Sequence, residues 1–188
     1  MGASLTELKA GLRKQAFARR KTAFDAGDPM PAVHRLLRVL EPHRGKPVAG
    51  HMPMRTELDP LPAMADLGME ATIGVPVIVA NGQPLVFHEW SLEADMVDGP
   101  FGARVPANGN EMTPQVVIVP LVAFDRFGGR LGYGGGFYDR TLEGLRAKGP
   151  VYAVGYAWAA QELDKVPLEP TDQPLDALVT ESETLIFS

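Results

Sequence analysis

Apolar positions recur at helical spacing from the start of the chain: Leu5, Leu8, Leu12, Ala16 and Ala23 fall roughly on one face of a segment running Ser4 to Asp25. Ser4 with Glu7 three residues later has the capping-box pattern that opens a helix. Gly27-Asp28-Pro29 closes it, and Pro31 to Leu40 predicts a second, short helix ended by Glu41-Pro42. The pattern then changes. Pro47 to Pro53 reads as a short apolar strand, and Leu58 to Leu67 as a helix whose prolines, Pro60 and Pro62, suit its first turn. Val75 to Ala80 and Leu85 to Trp90 read as strands joined through Asn81-Gly82, a hairpin signal.

Val116 to Val122 is the strongest strand candidate, β-branched and apolar on both faces, as in a sheet covered on both sides. A turn and a helix from about Gly136 to Lys148 follow, then a strand over Val151 to Ala157 and short strands at Ala177–Thr180 and Thr184–Phe187. Gly99 to Thr113, rich in Gly, Pro and Asn, reads as a surface loop. Strands alternating with helices predict an α/β class: one domain over residues 1–188, with a mainly parallel or mixed sheet flanked by helices.

Composition narrows the chemistry. At 45% apolar and 22% charged residues the chain has ordinary globular balance, which argues against disorder over most of its length. With no cysteine, disulfides, thiolate nucleophiles and cysteine metal sites are excluded. The first twenty residues show no apolar core of a secretory signal, and no long apolar run could cross a bilayer, so a cytoplasmic protein without a membrane partner is expected. A net charge of −5 does not supply the broad positive field that nucleic-acid binding uses, so no nucleic-acid partner is expected either. A basic cluster at Arg13, Lys14, Arg19, Arg20 and Lys21 reads either as a solvated helix face or as a patch for a small anion.

Between Gly128 and Gly136, six of nine residues are glycine. The block lies after the buried strand and before a helical pattern, where open α/β sheets bind ligands. Glycines let backbone N–H groups approach an anion, and the helix N-terminus adds donors and partial positive charge. Arg126, Arg130 and Arg140 flank the block, with Asp125 and Asp139 on either side. Cations for phosphate and a carboxylate for Mg²⁺ around one glycine turn fit metal–nucleotide binding. Neither a Walker A loop nor the dinucleotide fingerprint is present. The four histidines lack metal-ligand spacing and read as structural or surface residues, and Trp90 and Trp158 read as core. Tyr133, Phe137 and Tyr138 sit in the turn and could stack on a ligand ring.

The run from Phe124 to Arg140 (FDRFGGRLGYGGGFYDR) resembles the signature of the 5-formyltetrahydrofolate cyclo-ligase family, also called methenyltetrahydrofolate synthetase. Lys9 to Arg13 resembles its N-terminal K-x-x-L-R element, Met52 to Glu57 a strand-end segment closing on glutamate, and Asp172 to Glu181 its closing segment. The resemblance implies conversion of 5-formyltetrahydrofolate to 5,10-methenyltetrahydrofolate with ATP hydrolysed to ADP and phosphate, aided by Mg²⁺. The formyl oxygen would take the γ-phosphoryl group and N10 would close the ring, a reaction that needs positioning and charge neutralisation more than a protein nucleophile.

By matching position, Lys9, Arg13, Arg130 and Tyr138 would carry catalysis. Lys9, Arg13 and the stretch Arg130, Leu131, Gly132, Tyr133, Gly134, Gly135, Gly136, Phe137 and Tyr138 would hold ATP. Met52, Glu57 and Tyr133 to Phe137 would face the folate, Glu57 accepting ring N–H groups, and Asp139 and Asp172 would serve the metal, with Asp176 as an alternative to Asp172. The chain departs from the family at Thr171, where members often have histidine, and at Tyr133 and Gly135, where some carry basic residues. Phosphate charge then falls on Lys9, Arg13 and backbone N–H groups. A monomer is expected. The competing reading is a relative on the same scaffold that binds folate or nucleotide but acts on another substrate or is not catalytic.

Overall fold

The computed structural model describes residues 2 and 4–187. Ser4 accepts the Glu7 N–H at 3.3 Å, and Glu7 takes the Ser4 N–H at 2.8 Å. This reciprocal cap starts α1 (Leu5–Ala26), which ends where the Gly27 N–H donates to Ala23 at 2.7 Å. α2 (Met30–Leu40) carries proline in its first turn and buries Ala32, Val33, Leu36 and Leu40. β1 spans only Val48–Ala49, and α3 (Leu61–Leu67) starts behind Pro60, with Asp59 accepting the Leu61 N–H at 2.8 Å.

The remaining elements are β2 (Ile73–Val77), β3 (Val86–Glu89), β4 (Met96–Asp98), β5 (Arg104–Pro106), β6 (Glu111–Met112), β7 (Val116–Pro120), β8 (Ala123–Phe124), β9 (Arg130–Leu131), α4 (Phe137–Arg146), β10 (Tyr152–Tyr156), β11 (Ala177–Val179) and β12 (Thr184–Ile186).

Eight strands form one sheet in the order β12-β11-β10-β7-β1-β2-β3-β6. Its centre, β11-β10-β7-β1-β2, is parallel, while at the edges β12 pairs antiparallel with β11, β3 with β2, and β6 with β3. The sheet is therefore mixed, within the α/β class expected. Alternate residues of the central strands feed two cores, as the two-residue period of a strand requires. Val116, Ile118, Val154 and Val179 pack with Leu36, Leu40 and Met64 of α2 and α3, while Val117, Val119, Ala153 and Leu178 pack with Leu142 of α4. Trp90 and Trp158 belong to the first core, as expected.

Three expectations change. Pro47–Pro53 contributes only Val48–Ala49 to the sheet, because the chain leaves it after Gly50. Gly99–Thr113 is not all loop: its residues form β5, which pairs with β4, and β6, the outer strand beside β3. Both are too short to show a two-residue pattern. The buried strand also does not lead straight into the glycine turn. The hairpin β8–β9 intervenes, its loop fastened by Asp125, which accepts the N–H groups of Phe127 and Gly129 at 2.9 Å and of Val166 at 2.8 Å.

Candidate active site

β9 carries Arg130 and Leu131 buried into the hairpin, and the chain then emerges as an open turn whose residues 133–135 are exposed. Among the described residues, no backbone N–H of 132–136 donates to another protein group. Gly134 has φ +104° and Gly136 +67°, left-handed conformations that glycine adopts without strain. Gly136 also caps α4 with no side-chain acceptor, so the free N–H groups of the first helical turn face the same opening.

Helix α1 lies against this turn with an unusual buried face: its buried residues are Lys9, Ala16 and Arg20. Lys9, Arg13, Phe17 and Arg20 follow helical spacing and so form one stripe. Arg13 donates from Nε to the Gly132 carbonyl at 2.8 Å, and a β-carbon on Gly134 would stand 3.4 Å from its guanidinium. Among the described residues, neither Arg13 nor Arg20 has a carboxylate within 4.0 Å, so this face is electropositive. Lys9 Nζ does have acidic partners, Glu169 at 2.5 Å and Asp172 at 3.9 Å.

On the far side of the turn, Arg130 pairs with Asp139, whose Oδ1 also accepts the Gln173 N–H at 2.9 Å. Burial pulls the Arg130 guanidinium down from its usual range, and Asp139 and Asp172 oppose that. Asp172 accepts the Glu169 N–H at 2.7 Å. Among the described residues, no group of three or more acidic or histidine side chains could hold a metal by itself. Mg²⁺ commonly uses only one or two carboxylates and takes its other ligands from phosphate and water. Asp172, beside Lys9 and only lightly engaged, fits such a role. Asp139 has Oδ1 committed to Arg130 and Gln173, which leaves Oδ2.

The segment after β1 supplies the third side. Glu57, 7% exposed, takes the Met54 N–H at 2.9 Å on one oxygen and the Tyr133 hydroxyl at 2.5 Å on the other. Tyr133 in turn accepts from Arg20 Nη1 at 2.7 Å, and Arg20 Nε donates to Thr56 Oγ1 at 2.9 Å. Burial and the Glu57 carboxylate push the Tyr133 hydroxyl above its usual range, so it remains a donor. Met52 packs partly buried against the first core. Tyr138 buries its hydroxyl without a partner among the described residues, and burial holds that group protonated. His51 has its Nε2 4.0 Å from Glu57 and, among the described residues, without a hydrogen-bond partner.

The structure thus brings Lys9, Arg13, Arg130, Tyr133, Tyr138, Asp139 and Asp172 to the turn and its walls, with Glu57 joined through Tyr133. Other flanking residues go elsewhere. Arg126 turns outward to Glu162 at 2.9 Å and Glu183 at 2.5 Å, and Asp125 is a buried loop fastener, so neither serves the turn. Arg140 donates to the Gly135 carbonyl at 2.5 Å and so braces the turn. Asp176 is fastened to the Ala153 N–H at 2.7 Å and to Arg146 at 3.2 Å. Two surface hollows, of about 440 and 310 Å³, lie away from the turn, lined by Arg19, Ala23 and Glu181 in one and by Trp90, Asp95 and Asn108 in the other. The convergence of cations and free N–H groups is the stronger guide to a site for a phosphate ligand.

Arg20 was legible only as part of the basic cluster, where a solvated face competes with a ligand patch; at 1% exposure it is not solvated. Its signal was its place on the stripe of Lys9, Arg13 and Phe17. Glu169 and His51 had no motif to reveal them.

The family model of the 5-formyltetrahydrofolate cyclo-ligase family matches residues 6–181. The chain is 53% identical over 68 residues to the 5-formyltetrahydrofolate cyclo-ligase of Escherichia coli K12, a stretch covering 36% of this chain and 37% of that protein. It is 32% identical over 151 residues to the enzyme of that name from Haemophilus influenzae, covering 76% of this chain and 80% of the other. Its fold is similar to the solution structure of 5,10-methenyltetrahydrofolate synthetase from Aquifex aeolicus, with a TM-score of 0.77, 28% identity, and coverage of 95% and 92% of the two chains.

Proposed function

The chain belongs to the 5-formyltetrahydrofolate cyclo-ligase family, a family of ATP-dependent ligases, and we propose that it converts 5-formyltetrahydrofolate to 5,10-methenyltetrahydrofolate at the glycine turn, with ATP cleaved to ADP and phosphate. The observation that carries this reading is the juxtaposition of Arg13, with no carboxylate within 4.0 Å, and five N–H groups at 132–136 that, among the described residues, donate to no protein group. A triphosphate tail supplies the acceptors and the negative charge that both lack.

The residues divide the work by position. Lys9, Arg13, Arg130 and the turn amides would grip the phosphates, and Tyr133 and Phe137 would offer rings to the bases on either side. Glu57, with an acceptor site left on each oxygen, would take pterin N–H groups, with Met52 lining that side. Held so, the formyl oxygen would be brought to the γ-phosphoryl group. Its attack releases ADP, N10 then adds to the activated carbon and loses its proton, and phosphate leaves. The cations would meet the charge that develops on the transferring group, and the Tyr138 hydroxyl, unpartnered among the described residues, would donate to an oxygen there. Mg²⁺, when bound, would offset phosphate charge, with Asp172 and the free oxygen of Asp139 as the protein groups that would hold it.

Among the described residues no helix is long and apolar enough to cross a membrane. Work as a cytoplasmic monomer without nucleic acid belongs to the same proposal, and the acidic net charge supports the last part of it. A coupled assay for ADP and methenyl product tests the whole. Turnover with Mg-ATP and 5-formyltetrahydrofolate is expected, and purified, folded protein that makes neither product would refute it.

A further inference from the structure

Arg20 belongs to no motif, yet it is 1% exposed and carries a charge with no carboxylate within 4.0 Å among the described residues. Burying such a group is costly unless it is hydrogen-bonded. Its partners are two hydroxyls: Thr56 Oγ1 at 2.9 Å and the Tyr133 oxygen at 2.7 Å. Its guanidinium carbon also stands 5.0 Å from the centre of the Phe17 ring and 5.8 Å from that of Tyr133. All four residues lie around the segment that carries Glu57.

A tyrosine hydroxyl has one hydrogen. By donating to the Tyr133 oxygen, Arg20 commits that hydrogen to the other side, where Glu57 Oε1 lies 2.5 Å away. The chain Arg20–Tyr133–Glu57 thus runs from cation to carboxylate through a neutral hydroxyl, and each bond polarises the next. With the Met54 N–H on its other oxygen, Glu57 is fixed at both ends while roughly half of a carboxylate's acceptor sites remain open.

We propose that Arg20 is a positioning residue for the folate side of the site: through the Tyr133 hydroxyl it aims Glu57, and it ties that carboxylate to the glycine turn. The inference rests on the proposed reaction, in which Glu57 meets the pterin ring.

The test compares steady-state kinetics of Tyr133→Phe, Arg20→Lys and the double variant, with thermal unfolding as a check on folding. Tyr133→Phe keeps the ring, which is 51% exposed, and removes only the linking hydroxyl. The expected result is a KM for 5-formyltetrahydrofolate raised about tenfold in Tyr133→Phe, the loss of about one good hydrogen bond, with the KM for ATP within twofold of the parent protein. Arg20→Lys should raise the same constant, and the double variant should be no worse than the worse single, because both remove one chain. An unchanged or lowered folate KM in Tyr133→Phe, effects that multiply, or a rise confined to ATP would each overturn the inference. If the parent protein turns over and the variants match it, only the inference fails. If the parent makes no product, the proposed function fails and takes the inference with it.

Discussion

Arg13 Nε donates to the carbonyl oxygen of Gly132 at 2.8 Å, joining the first helix to a turn 119 residues later. The bond holds the guanidinium beside the turn amides before any ligand arrives, so part of the ordering cost of phosphate binding is already met. Arg13→Ala should raise the KM for ATP at least tenfold, the scale of one charge-assisted hydrogen bond, and Arg13→Lys should recover only part of it because lysine has no planar fork. Initial rates across ATP concentrations decide this, and equal constants in Arg13→Ala and the parent protein would remove Arg13 from the site.

Lys9 sits between Glu169 at 2.5 Å and Asp172 at 3.9 Å. Lys9→Ala leaves those carboxylates facing the phosphates unopposed. ATP use should therefore fall by about tenfold or more, and Glu169→Gln should weaken it far less. Unchanged ATP kinetics in Lys9→Ala would refute the assignment.

Asp139 and Asp172 should separate by stability. Asp139→Asn leaves the buried Arg130 without its ion partner and should cost about 3 kcal/mol of folding free energy, read by denaturant unfolding. Asp172→Asn should barely change stability but should raise the Mg²⁺ concentration needed for half-maximal rate. Loss of Mg²⁺ dependence only in Asp139→Asn would reverse the division.

Gly134 has φ +104°, which an L side chain rarely adopts, and Arg13 stands within contact of where its β-carbon would be. Gly134→Ala should strain the turn by roughly 1–2 kcal/mol and raise the KM for ATP. A parent-like Tm together with parent-like ATP kinetics would show that this conformation is not needed.

Burial holds the His51 imidazole below its ordinary value of 6.5, with Glu57 opposing. A base with a depressed folded pKa binds fewer protons folded than unfolded. Its contribution is therefore fully present above about pH 6.5 and is lost as pH falls below that value, at up to about 1.4 kcal/mol per pH unit. His51→Gln should flatten this acid-side slope in unfolding experiments. His43, also lowered by burial, retains its own part. An identical slope in the variant would show that His51 titrates as freely folded as unfolded.

The elements with long, regular patterns were legible in the sequence. The capping box of α1, the amphipathic α2, the doubly buried β7 and the glycine turn before α4 all follow from local spacing and from glycine's conformational freedom. The two-residue strands β6, β8 and β9 were not, because two residues are too few to show the period of a strand. The motif residues were legible too, as types suited to phosphate and metal, but not the engagements of those side chains. Asp125 and Arg126 resemble site residues by proximity to the turn, and only the hairpin β8–β9 turns them away from it.

What the sequence alone determined is therefore the local chemistry: a flexible, anion-receptive bend framed by cations, on an α/β scaffold. The tertiary structure decided which cations face that bend. Lys9 and Arg20 are buried because α1 packs charged residues, together with Ala16, against the hairpin and its turn. It also decided that Glu57 meets Tyr133 across 76 positions of chain. Such contacts arise where packing brings remote side chains within hydrogen-bond range, and no local pattern of residues encodes that distance.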